Sequence, residues 1–109
     1  MSIKFNKYGK DYEITFEVTT YMADNSLALV MYCDEGCGKE PFATLTVYLE
    51  DFKTYGNKAF VDTNNLGGEI LDWLVENNLG EQTSRLGFSG FCIYPEFDFN
   101  LDEINKHLT

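Results

Sequence analysis

Apolar and polar residues alternate most cleanly between Tyr12 and Thr20. Tyr12, Ile14, Phe16 and Val18 fall on one side, and Glu13, Thr15, Glu17 and Thr19 on the other. A period of two with one polar side describes an antiparallel strand buried on one face. Residues 2–8 also read as a strand, and a tight turn at Gly9-Lys10-Asp11 joins the two into a hairpin. After a turn at Ala23-Asp24-Asn25-Ser26, residues 27–33 form a nearly continuous apolar run. Such a run predicts a central strand covered on both faces. A polar loop follows over 34–40. Residues 42–49, rich in Thr, Val and Tyr, predict a fourth strand, 50–57 a loop, and 59–61 a short fifth strand.

The pattern then changes period. Ile70, Leu71, Leu74 and Val75 recur at helical spacing while Glu69, Asp72 and Glu76 face outward. Asn64 or Asn65 can cap this helix, and Gly80 suits the left-handed residue that ends it. Residues 82–87 read as a loop and 88–94 as a strand, which Pro95 ends or restricts to a sheet edge. Phe97, Phe99 and Leu101 alternate with Glu96, Asp98 and Asn100, giving an extended stretch with a carboxylate edge. Asn100-Leu101-Asp102-Glu103 has the spacing of a capping box, and Leu101, Ile104 and Leu108 line one face of a short last helix. The predicted fold class is α+β. It consists of an antiparallel meander sheet of five to six strands, one main helix packed on one face and a short C-terminal helix, in a single domain over 1–109.

Composition agrees with a folded domain. Of 109 residues 44% are apolar and 16% aromatic, which supplies a core and excludes disorder. Eighteen acidic residues against eight basic give a net charge of −10. That sign repels nucleic acid and an anionic membrane, so neither is an expected direct partner, and it favours a cationic partner or simple solubility. The longest apolar run is far short of the about 20 residues a membrane span needs. The N-terminus, with Lys4 and Lys7, lacks the apolar stretch of a secretory signal. Three cysteines, an odd number, fit a reducing compartment, so the expected location is the cytoplasm.

Three stretches together carry a family resemblance: Glu40-Pro41-Phe42-Ala43-Thr44-Leu45-Thr46-Val47, Phe60-Val61-Asp62-Thr63-Asn64-Asn65, and Gly90-Phe91-Cys92-Ile93-Tyr94-Pro95-Glu96-Phe97. They resemble a small acidic family of unknown function found in gut Firmicutes, often on conjugative elements. The resemblance implies a bacterial cytosolic setting and a mobile-element context. It implies no mechanism and no catalytic residues.

Motif chemistry leaves little for an enzyme. A phosphate loop ending at Gly38-Lys39 would need glycine at Cys33 and Ser or Thr at Glu40. A dinucleotide fingerprint from Gly36 and Gly38 would need glycine at Pro41. The stretch from Asp62 starts like a calcium loop but carries Leu66 and Trp73 at ligand positions, so it reads as a strand-to-helix turn. Cys33, Cys37, Cys92 and His107 lack the tight pairing of a structural zinc site. Gly87-Phe88-Ser89-Gly90 is one residue short of a nucleophile elbow. No catalytic residue, metal or cofactor is therefore expected. The aromatics of 88–99 read as core, since base-stacking platforms sit in basic grooves.

The expected function is a small acidic binding module. It would contact a basic protein surface through Glu96, Asp98, Asp102 and Glu103 in the acidic second half, with a sheet edge near Pro95 able to accept a strand. The alternative is a nucleic-acid mimic that inhibits a host defence enzyme, and an unrecognised enzyme is a third reading. An apolar patch with an acidic rim would favour the protein interface, a continuous acidic stripe the mimic, and a deep polar pocket the enzyme.

Overall fold

The N-terminal alternation folds as a hairpin of β1 (Ile3–Lys7) and β2 (Lys10–Thr20) in the computed structural model, which describes residues 1–34 and 38–109. Lys7 pairs with Lys10, so the loop is Tyr8-Gly9, with φ of 55° and 76°. Two consecutive positive φ angles make a type I′ turn, whose twist matches the strands it joins. The turn thus lies one residue earlier than Gly9-Lys10-Asp11. β2 pairs with β3 (Leu27–Asp34), and β3 with β4 (Lys39–Thr44), closing a four-stranded antiparallel sheet in chain order. β3 is interior; Leu27, Ala28 and Leu29 are buried in succession, but Val30 and Tyr32 are only half-buried, so the expected cover on both faces holds only at the start of the strand.

The strand expected over 42–49 does not stay in one sheet. It breaks at Leu45, and β5 (Thr46–Val47) opens a second antiparallel sheet with β6 (Lys58–Val61), β7 (Gly80–Ser89) and β8 (Cys92–Phe99), in the order β5-β6-β8-β7. Leu45 is fully buried at this corner. Its N–H donates to the Leu29 carbonyl of the first sheet, and its carbonyl accepts from Asp62 N–H beside the second, both at 2.9 Å. The Thr46 hydroxyl completes the join, accepting from Leu29 N–H at 3.2 Å and bonding the Tyr21 hydroxyl at 2.7 Å. About half of the chain is strand and under a fifth is helix. The α+β meander with one main helix is therefore incorrect: among the described residues the protein is mostly β, with two four-stranded antiparallel sheets and short helices only.

Those helices are α1 (Thr63–Leu66), α2 (Glu69–Glu76) and α3 (Leu101–Ile104), followed by a 3-10 turn at Asn105–His107. Asp62 caps α1 by accepting from Asn65 N–H, which leaves Asn64 and Asn65 inside the helix rather than capping it. α2 begins after Gly68 without a side-chain cap. The left-handed residue after it is Asn78 (φ 59°), not Gly80. Gly80 serves a different need: a Cβ there would lie 2.8 Å from the Asp98 carbonyl oxygen, too close for any other residue. Asn100 caps α3 as its spacing predicts, accepting from Glu103 N–H.

One core joins these elements. Phe5, Ile14, Phe16, Leu29 and Met31 from the first sheet meet Val61, Phe97 and Phe99 from the second, and Ile70, Trp73 and Leu74 from α2. Trp73 stacks at a tilt on Phe5 and Phe16, and its indole N–H donates to the Lys4 carbonyl at 2.8 Å. A smaller cluster of Leu49, Phe60 and Tyr94 forms where the loop over 48–57 covers the second sheet. The last residues lie along β2: Leu108 bridges Phe16 in parallel, and Thr109 N–H donates to the Phe16 carbonyl at 2.8 Å. No helix among the described residues is long and apolar enough to cross a membrane.

Candidate functional site

β7 and β8 form a hairpin that carries the surface of most interest. Ser89 pairs with Cys92, so the loop is Gly90-Phe91, with Gly90 at φ 60°. The loop expected over 82–87 is thus strand. Pro95 neither ends β8 nor marks an edge, because β8 is interior, between β6 and β7. Pro95 pairs only with Leu86, and the ladder with β6 reaches no further than Glu96. No bond calls for the N–H that proline lacks.

At the base of the hairpin β7 bulges. Thr83, Ser84 and Arg85 stand opposite the single residue Glu96. The extra residues aim two side chains at one buried carboxylate. The Thr83 hydroxyl donates to Glu96 Oε1 at 2.8 Å, and Arg85 Nη1 donates to Oε2 at 3.2 Å. Glu96 is only 3% exposed. Arg85 N–H donates in turn to Thr83 Oγ1, its guanidinium also reaches the Lys53 carbonyl, and it lies 5.3 Å over the Phe60 ring. Gly87 follows. A Cβ there would lie 2.5 Å from Leu49 Cδ1 and 2.8 Å from Phe60 Cε1, so glycine lets the 48–57 loop close against the sheet. The base is held by a satisfied buried charge and by close packing.

Beyond the base, large apolar side chains lose their cover. Leu86 is 44% exposed, Phe88 50%, Ile93 54%, and Phe91 at the tip fully so. Phe88 stands opposite Ile93, and its ring lies 5.9 Å from Phe52. Residues 82–95 contain one charged side chain, Arg85, in a chain that has 26.

The four acidic residues expected to form the contact are not one surface. Glu96 is buried and bonded to Thr83 and Arg85. Glu103 is engaged by Lys106 at 3.2 Å and by the His107 ring at 3.3 Å. The Lys106 ammonium, then His107, holds its carboxyl below the ordinary carboxylate range. Asp102 is exposed at the start of α3. Asp98 is half-buried and lines an open concavity of about 330 Å³ with Asn78, Glu81 and Asn100. Glu81 is its direct cross-strand partner in β7, and Lys58 its partner in β6.

Sequence reasoning passed over the apolar hairpin. The signal was available: Ser89-Gly90 set between Phe88 and Phe91, within a segment almost free of charge, is a turn signal between apolar residues.

The residues weighed for metal or catalysis lie apart. Cys33 packs in the main core, Cys92 beside the smaller cluster, and His107 Nδ1 donates to the Met1 carbonyl at 2.8 Å. Cys37 lies outside the described residues, as do Glu35 and Gly36 of the weighed phosphate and dinucleotide loops. Among the described residues no three His, Cys, Asp or Glu side chains converge as metal ligands.

Residues 15–109 match the profile of DUF4313, a domain of unknown function, so the chain belongs to that family. No curated protein and no solved structure is matched.

Proposed function

We propose that this member of the DUF4313 family is a small protein-binding module whose contact surface centres on the β7–β8 hairpin. The observation that carries the reading is the joint exposure of Leu86, Phe88, Phe91 and Ile93 on a hairpin with a well-held base. At about 200 Å² for a fully exposed side chain of this size, they offer roughly 500 Å² of apolar surface. The largest apolar patch on a monomer is ordinarily about 300–600 Å² and often functional, which supports placing the contact here. The setting in this reading is the bacterial cytosol and the mobile elements that the family resemblance implies.

A second reading keeps the acidic contact, now through Asp98 and Asp102. Asp98 and Glu81 stand directly opposite each other across an antiparallel pair. Like charges so placed repel, and a lysine or arginine from a basic partner would relieve them. A duplex mimic is less well supported. Lys4 stands opposite Glu13, Lys39 opposite Asp34 and Lys58 opposite Asp98, so cations interrupt the acidic rows. A duplex presents one negative charge per about 1.7 Å without such interruption.

A photo-crosslinking residue placed at Phe91, and separately at Met22, tests the proposal in cells. Met22 is as exposed but lies in the β2–β3 turn. A discrete adduct from position 91 and none from position 22 is expected. Equal labelling from both positions, or none from either, would overturn the reading.

A further inference from the structure

We infer that the hairpin surface receives a second copy of this chain, docked along the outer edge of β7. The inference rests on the reading just given, that the hairpin is the contact surface.

β7 has one strand neighbour, β8, and is therefore a sheet edge. In a hairpin with a two-residue loop the paired residues alternate between exchanging hydrogen bonds and not. Ser89 and Gly87 direct theirs to Cys92 and Tyr94, and Leu86 and Phe88 turn N–H and C=O outward. The residues with outward backbone groups are also those with exposed apolar side chains. Two such edges, brought antiparallel about a two-fold axis at Gly87, set Leu86 of each copy opposite Phe88 of the other. Both pairs then exchange backbone hydrogen bonds, and each leucine packs beside a phenylalanine on the same face. The edge is self-complementary, as a two-fold interface requires.

Charge selects the occupant. Residues 82–95 hold no carboxylate, and their one cation, Arg85, falls opposite Ser89 in this register. No lysine, proline or inward charge lies within residues 86–89, and the guards this edge has, the bulge at 83–85 and Arg85, stop short of them. A basic partner finds no carboxylate to pair with over residues 82–95. A second copy meets no carboxylate there, whereas the rest of this −10 chain would repel it. In this register Leu86 and Phe88 bring roughly 200 Å² of apolar area from each copy; even with backbone and flanking atoms added this is well under the about 800 Å² per partner of a stable interface, so the association is weak and reversible. The net charge opposes approach at long range, so added salt strengthens this association. A contact between carboxylates and a basic partner shows the opposite dependence.

Sedimentation equilibrium of the full chain, from low micromolar to about 1 mM, tests the inference at low and high salt. The expected result is a reversible rise toward twice the 12.5 kDa chain mass, stronger at high salt and abolished by Leu86→Lys and by Phe88→Lys. Amide hydrogen exchange gives a second readout. Leu86 and Phe88 should slow with rising concentration, with Gly87 and Ser89 unchanged. A monomer at every concentration, or a dimer indifferent to both lysine variants and to salt, would overturn the inference. A monomer that still yields a crosslink from position 91 to a different protein overturns the dimer alone. A monomer with no crosslink overturns the binding reading as well.

Discussion

Replacing Arg85 by methionine isolates the device that anchors the hairpin. The substitution keeps an unbranched side chain and removes the guanidinium from Glu96, from the Lys53 carbonyl and from the face of Phe60. Glu96 would then hold a carboxylate, its side chain only 5% exposed, with Thr83 as its remaining partner. Stripping the cation from a buried pair costs about 3–5 kcal/mol. Arg85 is itself 41% exposed, so water screens part of the interaction, and about 2 kcal/mol is the expected loss. For a chain of this length that lowers Tm by roughly 8 °C. Glu96→Gln keeps an acceptor for Thr83 and removes the charge that needs a cation, so it costs less, about 1 kcal/mol. The double variant should lose little beyond Arg85→Met alone, a coupling of about 1 kcal/mol. Urea and thermal unfolding followed by circular dichroism measure all three. Strict additivity, or a loss in Arg85→Met under about 0.5 kcal/mol, would refute the claim that this pair pins the bulge.

Three further outcomes follow from the same geometry. Gly80→Ala should cost about 3 kcal/mol and Gly87→Ala somewhat less, about 2 kcal/mol, because the first collides with backbone at Asp98 and the second with side chains, the tip of Leu49 and the edge of the buried Phe60 ring; the reverse order in urea unfolding would contradict the packing argument. Tyr8→Asn should raise stability by about 1 kcal/mol, since asparagine accepts the left-handed φ of 55° that an aromatic residue resists; a lower Tm would count against it. Glu103 has its pKa lowered by folding, so its contribution is complete above its ordinary value of 4.5 and is lost as pH falls through the folded value. Glu103→Gln should therefore flatten the acid limb of the stability profile and leave the limb near neutrality parallel to that of the parent, a difference read from urea midpoints across pH.

Much of the first sheet was legible because period two is a local property. Ile14 and Phe16 fall on the buried side that their alternation assigns, and Asn100 caps where its spacing places it. The corner at Leu45 was not legible, since residues 42–49 keep strand character throughout and no glycine or proline marks the break. The break is made by Leu29 and Asp62, which take the two backbone groups of Leu45 from distant parts of the chain. The same non-locality hid the candidate site. Alternation assigned Glu96 to solvent, yet the 48–57 loop and the bulge at 83–85 cover that face, and nothing near Glu96 in sequence announces either. Once Glu96 is buried and Glu103 is held by Lys106 and His107, two of the four acids expected to make the contact are already committed within the fold. A carboxylate that holds a bulge or is paired with its own neighbours cannot also attract a partner without loosening that structure. Exposed phenylalanine and leucine carry no such conflict, since covering them stabilises whichever complex does so. That asymmetry moves the functional reading from the acidic half as a whole to the one segment nearly free of charge.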